Sequence, residues 1–237
     1  IIAKYGKATT HLAKQDREKA SVILYSLLHE LKSINIKKNS KQRFKAGIYT
    51  TLGGIYRNKF DFEKALEYQT KSIEISKEIF DTINHSLALG SIANIYQKIG
   101  DLDESIEYHL KSIELLDANK FPQKLGIAYH NLSQVYEVKK DYETEIKILN
   151  LSLKHSEKAK NVVGIAISNI SLGDAYILLS LDAPFKEKKE LLAKAYLYDL
   201  NAIKILDSID HQYYIAYAYN NIGTILRHQH EYSKSEL

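Results

Sequence analysis

The sequence contains no cysteine, only two prolines and only ten glycines in its 237 residues. Without cysteine the chain can form neither disulfide bonds nor thiolate metal sites, and this absence suits reducing and oxidising compartments equally. The scarcity of proline and glycine, which interrupt regular structure, favours long helices over many short strands. Methionine is absent as well, including at the first position, so we expect the sequence to be a piece of a longer protein.

Long hydrophobic runs are also missing from the sequence. No stretch of about 18 uninterrupted apolar residues occurs, and we therefore expect no segment that crosses or contacts a membrane. No signal peptide is visible either. We expect a cytoplasmic location, with a periplasmic sensor domain as the alternative.

Charges of both signs are spread along the chain. It has 33 Lys and Arg residues against 29 Asp and Glu residues, which gives a net charge of +4. The densest basic run is Lys37–Arg43. Nucleic-acid binding needs a persistent basic stripe, whereas acidic residues interrupt the lysines elsewhere in this chain. We therefore interpret the run as a solvated loop between helices and expect no direct nucleic-acid contact.

A repeat with an offset of 40 residues dominates the sequence. Four five-residue segments align at that offset and a fifth follows after 50 residues: Leu52–Tyr56, Ile92–Tyr96, Leu132–Tyr136, Leu172–Tyr176 and Ile222–Leu226. An aspartate stands five residues after each of the first three tyrosines, at Asp61, Asp101 and Asp141. An aspartate before an apolar-periodic segment is a typical helix N-cap, because its carboxylate accepts from the free N–H groups of the first turn. Each repeat therefore predicts two helices joined by a short turn.

The second repeat shows the pattern most completely. Tyr49, Leu52, Gly53 and Tyr56 fall on one face of a helix, and Ala65 follows nine residues later. These residues resemble the tetratricopeptide-repeat signature, in which W-x2-L-G-x2-Y precedes an alanine. The sequence departs from that signature because no tryptophan occupies the first position and because the offset exceeds the usual length of about 34 residues. Longer repeats of this kind are similar to those of bacterial sensor and regulator proteins, including Rap-like regulators, and of kinesin light chains.

The resemblance implies an all-α fold, a right-handed superhelical solenoid of antiparallel helix pairs. We expect a single solenoid over residues 1–237 with about six repeats, the last truncated, at 1–40, 43–80, 83–119, 122–159, 162–208 and 212–237. The fifth repeat carries an insertion at 181–190, which we expect to lengthen the connection between its two helices and to extend the second helix backwards. The incomplete last repeat predicts an exposed edge at which two copies could form a homodimer.

The resemblance also implies that the first helix of each repeat lines a concave groove that binds a protein or peptide segment. The outward positions of these helices give a predicted groove of Arg57, Asn58, Leu87, Asn94, Gln97, Lys98, Ile127, His130, Gln134, Glu137, Ile167, Ile170, Asp174, Ile177, Asn220, Thr224 and Arg227. The middle of this groove is apolar, and exposed apolar surface of that extent indicates a contact site. The alternative is that the insertion or longer helix packing covers it.

Two of the four arginines, Arg57 and Arg227, hold the same groove position. A guanidinium suits carboxylate recognition because it is planar and always charged, although a solvated surface arginine is the alternative reading. The lysine-and-asparagine clamp by which some family members bind chaperone C-termini is not reproduced. Its leading positions hold Gly47, Leu87, Ile127 and Ile167, so we do not expect chaperone tails as ligands.

Motifs for catalysis and cofactor binding are absent, including the P-loop, the dinucleotide-binding loop, the zinc-protease motif and the nucleophile elbow. His228, His230 and Glu231 could in principle hold a metal, but histidines two apart on a helix face different sides, and we interpret this segment as a surface turn. We predict no catalytic residue, no metal and no cofactor. The predicted function is a non-catalytic scaffold that binds a protein or peptide segment. The alternative is a sensory or regulatory domain of a larger bacterial signalling protein, such as a histidine kinase or transcriptional regulator.

Overall fold

A computed structural model describes the backbone of residues 1–235 and the side chains of residues 1–228. Over this range the chain forms helices with short connections and no strand, which confirms the predicted all-α class. The eleven helices in the described range are α1 Ile2–Ala13, α2 Arg17–Ser33, α3 Lys38–Asn58, α4 Phe62–Glu78, α5 Thr82–Ile99, α6 Leu102–Glu114, α7 Pro122–Val138, α8 Tyr142–Lys158, α9 Val162–Ser180, α10 Phe185–Asp207 and α11 Gln212–Ser235.

The helices belong to two compact units. The N-terminal unit, Ile1–Leu116, contains α1–α6, and the C-terminal unit, Asp117–Leu237, contains α7–α11. In the N-terminal unit α3 packs against α4 and α5 against α6, while in the C-terminal unit α7 packs against α8 and α9 against α10. Each of these pairs corresponds to one sequence repeat. In the C-terminal unit α9 also contacts α7, α8 and α11, so it is the central helix of that unit.

Capping side chains determine where several helices begin. Asp61, Asp101 and Asp141 immediately precede α4, α6 and α8, and each carboxylate accepts a hydrogen bond from the backbone N–H three residues later. Asp81 and Asn161 cap α5 and α9 in the same way. One such cap contributes about 1 kcal/mol to helix stability. The 40-residue spacing of the aspartates therefore fixes the spacing of the helix starts.

Small residues allow the two helices of a pair to approach closely. A Cβ atom added at Gly53 would lie 2.2 Å from Nε2 of Gln69, and one added at Gly173 would lie 2.6 Å from Oδ2 of Asp199. Gly223 holds the same repeat position, but an added Cβ there would meet nothing within 4 Å. The difference arises because α11 is followed by no second helix within the described residues.

The basic run Lys37–Arg43 is not a loop, contrary to our interpretation of the sequence. Helix α3 begins at Lys38, so most of the run forms its first turns, with largely exposed side chains. The run contains no glycine or proline, and its lysines, glutamine and arginine favour helix. Arg43 also donates through Nε to Oδ2 of Asp81 over 3.0 Å, which ties the start of α3 to the N-cap of α5.

The surface turn expected at His228–Glu231 is absent as well. The backbone of α11 is helical through Ser235, because the segment contains no glycine or proline that would end the helix. The side chains of His230 and Glu231 lie outside the described residues. Among the described residues, no group of three or more His, Cys, Asp or Glu residues is placed to hold a metal ion.

The insertion at 181–190 acts on the second helix of its pair, as expected. Helix α10 starts at Phe185 and spans 23 residues, whereas α8 spans 17. Most of the inserted residues therefore add turns to the N-terminal end of α10. The connection that remains between α9 and α10 is short and runs from 181 to 184.

Helix α9 is the only described helix long and apolar enough to cross a membrane by length and composition. Within the C-terminal unit it packs against four other helices, and 44% of its most apolar 18-residue stretch is buried there. Its Ala166, Leu172 and Ala175 are fully buried. This central packing accounts for the apolar composition of α9.

Candidate ligand-binding pocket

An open cavity of about 540 Å³ lies within the C-terminal unit. Pockets of roughly 300–1,000 Å³ are typical of ligand sites in proteins. Four helices line it with Gly126, Ile127, His130, Gln134 and Glu137 from α7, Ser152 and Ser156 from α8, Gly164, Ile167, Ser168, Ile170, Ser171 and Asp174 from α9, and Tyr213, Tyr214 and Tyr217 from α11.

Small polar residues form the contact between α7, α8 and α9. Ser152 Oγ donates to the carbonyl of Gly126 over 2.9 Å and lies 2.9 Å from Oγ of Ser168. A Cβ atom added at Gly126 would lie 2.7 Å from Oγ of Ser156, so the absence of a side chain there lets the helices approach. The hydroxyl groups of Ser152 and Ser168 therefore have hydrogen-bond partners within the protein, and these small residues lie beneath the larger side chains of the pocket.

Isoleucines provide the apolar part of the pocket. Ile127 is 52% exposed, Ile167 is half-buried, and Ile170 is buried against Ala202 and Ile215. Ile177, which the sequence placed in the groove, instead lies in a core cluster with Leu192, Ala195 and Ile225 and is 7% exposed. Ile177 was misplaced because α11 and the extended α10 cover that side of α9.

Two carboxylates, Glu137 and Asp174, lie at the surface of the pocket. The side chain of Asp174 is open to solvent, but the surrounding helices displace much of its water. This loss of solvation raises the pKa of Asp174 to about 6; a hydrogen bond from Asn221 opposes the shift, and the charge of Glu137 adds to it. The pocket therefore carries negative charge at neutral pH.

Two further carboxyl groups are buried behind the pocket. Glu145 is 3% exposed and Asp199 is fully buried, and burial raises the pKa of each to about 8. The charges of Glu137 and Asp174 contribute further to the shift at Glu145, and Asp174 contributes to that at Asp199. Asn221 donates through Nδ2 to Oδ1 of Asp199 over 3.1 Å. Both buried groups are therefore mainly neutral acids at pH 7.

Tyrosines from the first turns of α11 line another part of the pocket. The hydroxyls of Tyr213 and Tyr217 lie 3.1 Å apart, and their ring centroids are 5.4 Å apart in an edge-on arrangement. The two residues are 65% and 51% exposed. Tyr214 is half-buried and its ring lies against that of His211. Aromatic faces of this kind remain accessible to a ligand.

The structure brings part of the predicted groove together in this pocket. Its lining includes seven predicted residues from α7 and α9, namely Ile127, His130, Gln134, Glu137, Ile167, Ile170 and Asp174. The remaining predicted positions do not line it. Those of the N-terminal unit lie on α3 and α5, and those of the last repeat lie farther along α11: Arg57, Asn58, Leu87, Asn94, Gln97, Lys98, Asn220, Thr224 and Arg227.

The two arginines at equivalent positions each interact with a neighbour on the same helix. Arg57 is half-buried and donates to Oδ1 of Asn58 through Nε and Nη2, both over 3.4 Å. Arg227 donates through Nη2 to Oγ1 of Thr224 over 3.1 Å. They lie in different compact units, and neither contributes to the pocket.

Sequence reasoning missed Tyr213 and Tyr214 as pocket residues and did not recognise the buried acids. The signal for the tyrosines is their position beside Tyr217 in the first turns of α11, one helical turn before the predicted groove positions. Glu145 could have been found because it follows Ala65 and Ser105 at the repeat offset, and those positions face the core.

A family model covers the middle of the chain. The model of the tetratricopeptide repeat matches residues 44–118 and 84–158. Residues 44–158 are tetratricopeptide repeats. The tetratricopeptide-repeat region includes α7 and α8 and thus two of the helices that line the pocket.

Solved structures share the tetratricopeptide-like fold. The apo form of RapI matches with a TM-score of 0.68 and 15% identity over 99% of this chain and 83% of that one. A signal-transduction ATPase with a tetratricopeptide repeat sensor from Pyrococcus horikoshii matches with a TM-score of 0.67 and 22% identity, over 91% of this chain and 31% of that one. BtubC from P. vanneervenii matches with a TM-score of 0.63 and 17% identity, over 86% and 78% of the two chains. No curated protein matches the chain in sequence.

Proposed function

We propose that this chain is a non-catalytic scaffold that holds a protein or peptide segment in the pocket of its C-terminal unit. The observation that carries the proposal is the pocket itself, which is open, combines the exposed Ile127 with polar groups, and is lined from α7 and α9. Tetratricopeptide repeats generally serve as interaction scaffolds, and no catalytic family matches the chain. An apolar anchor with a few polar groups around it suits the binding of an amphipathic helix or an extended peptide.

Site-specific photo-cross-linking tests the proposal in cells that produce the protein. A photoreactive phenylalanine analogue placed at Ile127 or Ile167 should yield one discrete cross-linked partner. The matched control carries the analogue at Val22, an apolar residue of α2 that is 67% exposed and lies outside the pocket. Equal cross-linking from Val22, or a cross-link from Ile127 that persists when Ile167 is changed to aspartate, would refute the pocket as the binding site.

A second candidate function is the sensory or regulatory domain of a larger signalling protein. It is supported by the likeness to RapI and to an ATPase whose tetratricopeptide repeats are described as a sensor. This chain spans only 31% of that ATPase. Sequencing the coding region on both sides would test this reading, since an effector domain in the same reading frame favours it and stop codons close to both ends exclude it.

A further inference from the structure

The pocket of the C-terminal unit is acidic in a basic protein. The chain has 33 Lys and Arg residues, yet none of the sixteen described residues that line the pocket is a lysine or an arginine. Glu137 and Asp174 are the acidic residues of this described lining, and Asp174, with a pKa of about 6, is mainly ionised at pH 7. His130 does not offset them, because burial lowers the pKa of its imidazole and keeps it neutral at pH 7.

The two acids behind the pocket also lack a positive partner. Asp199 lies against α9 at Gly173, the residue before Asp174. A Cβ atom added at Gly173 would lie only 2.6 Å from Oδ2 of Asp199. Oδ2 of Asp199 and Oε2 of Glu145 are buried and make no hydrogen bond to any described atom. Buried polar oxygens in folded proteins are nearly always paired. Both acids are mainly neutral at pH 7 and add little charge, but they place further carboxyl groups near Glu137 and Asp174. No described lysine or arginine forms an ion pair with any of these four groups.

The tyrosines of α11 add a second feature that suits a cation. Lysine ammonium groups cover tyrosine rings elsewhere in the chain, as Lys64 does over Tyr56 at 5.4 Å and Lys111 over Tyr108 at 5.0 Å. No described lysine or arginine covers the ring of Tyr213 or Tyr217. A ring face attracts a cation held within about 6 Å of its centre. The pocket therefore offers, within a single cavity, carboxylates and aromatic rings that no described lysine or arginine covers.

We propose that this pocket binds the cationic side chain of an arginine or lysine in the bound segment, with Glu137 and Asp174 as its carboxylate partners and Tyr213 and Tyr217 as its aromatic contacts. Ile127 and Ile167 then contact apolar residues that flank the cation in the ligand. The inference rests on the proposed scaffold function and specifies the chemistry of its partner. An acidic segment should therefore bind the pocket more weakly than a basic one.

Matched synthetic peptides test this inference on the intact chain. The probes are acetyl-Leu-Arg-Leu-amide, acetyl-Leu-citrulline-Leu-amide and acetyl-Leu-Glu-Leu-amide, titrated at pH 7 while amide NMR resonances are followed. Citrulline keeps the shape of arginine but has no charge, and the acetyl cap removes the N-terminal amine. The arginine peptide should shift resonances of α7 and α9 and bind about tenfold more tightly than the citrulline peptide, as one charge-assisted hydrogen bond would give.

Two variants connect the preference to the named residues. Glu137→Gln combined with Asp174→Asn should remove the tenfold preference for arginine, whereas Glu157→Gln, an exposed acid on α8 outside the pocket, should keep it. Helical circular dichroism confirms that each variant is folded. Binding of the citrulline or glutamate peptide as tight as that of the arginine peptide overturns the inference but leaves the scaffold function standing. If no peptide shifts the pocket resonances, the inference is also overturned. The scaffold function is then tested separately by the cross-linking from Ile127.

Discussion

The buried carboxyl group of Glu145 leads to a specific prediction about the dependence of stability on pH. Burial raises the pKa of Glu145 to about 8 in the folded chain, from its ordinary value of 4.5. The unfolded chain releases this proton near pH 4.5, whereas the folded chain retains it up to about pH 8. Stability must therefore fall as the pH rises between these two values. Glu145 is only 3% exposed, so solvent screens the effect little.

The magnitude follows from the two pKa values. Between pH 5 and pH 7 the unfolded chain becomes almost fully ionised at this position while the folded chain stays protonated. The free energy of unfolding should then decrease by about 2–3 kcal/mol through Glu145 alone. Glu145→Gln keeps a neutral side chain of similar shape and removes the titration. The free energy of unfolding of the variant should therefore decrease by about 2–3 kcal/mol less than that of the parent between pH 5 and pH 7. At pH 7 the variant should be the more stable of the two.

Urea denaturation followed by circular dichroism at pH 5, 6 and 7 measures this effect. The control is Glu143→Gln, which changes an exposed acid two residues earlier on α8 and should leave the pH profile unchanged. If Glu145→Gln and the parent lose the same free energy of unfolding between pH 5 and pH 7, the pKa of Glu145 is not raised in the folded chain. A flatter pH profile in the Glu143→Gln control would equally show that the effect does not belong to the buried position.

Three other substitutions test separate parts of the structure by chemical denaturation. Gly53→Ala should destabilise the chain by about 1–3 kcal/mol, because its Cβ would displace the side chain of Gln69, which donates to a backbone carbonyl over 3.0 Å. The control Gly54→Ala places its Cβ in open space and should be neutral or stabilising. Phe80→Gly should stabilise the folded chain by about 0.5–1 kcal/mol, because Phe80 is 90% exposed and has a φ of 53° that glycine adopts without strain. A variant less stable than the parent would contradict this prediction. Burial lowers the pKa of His109 to about 4, so between pH 6.5 and pH 4.5 mainly the unfolded chain gains a proton at this position. The free energy of unfolding of the parent should therefore fall by about 2 kcal/mol over that range through His109, and His109→Gln should abolish this share of the loss. An unchanged acid profile in that variant would show that His109 is not responsible.

The repeat made much of the helical framework predictable from the sequence. Asp61, Asp101 and Asp141 recur at the 40-residue offset, and each caps the helix expected after it. The start of α3 and the length of α11 could not be predicted in this way. Neither boundary has a capping aspartate or a glycine in the repeat position, and polar helix-forming residues such as those after Lys38 can continue a helix or form a loop.

The pocket was predictable only in part. Repeat positions on α7 and α9 identify residues such as Ile127 and Asp174, because the spacing decides which side of each helix faces outward. The burial of Ile177 depends on the extended α10 and on α11, and a single-helix pattern does not contain that contact. Asp199 was missed because the insertion changes the offset from 40 to 50 residues and hides its equivalence to Gln69 and His109.

The proposed scaffold function requires that a partner segment occupies the pocket of the C-terminal unit. Methyl NMR of isoleucine-labelled protein tests it most directly, by adding the segment that cross-links to Ile127. The δ1-methyl signals of Ile127 and Ile167 should shift on binding, while that of Ile2, 77% exposed on α1, should stay in place. A shift confined to Ile2, with Ile127 and Ile167 unmoved at saturation, would show that the segment does not occupy the pocket.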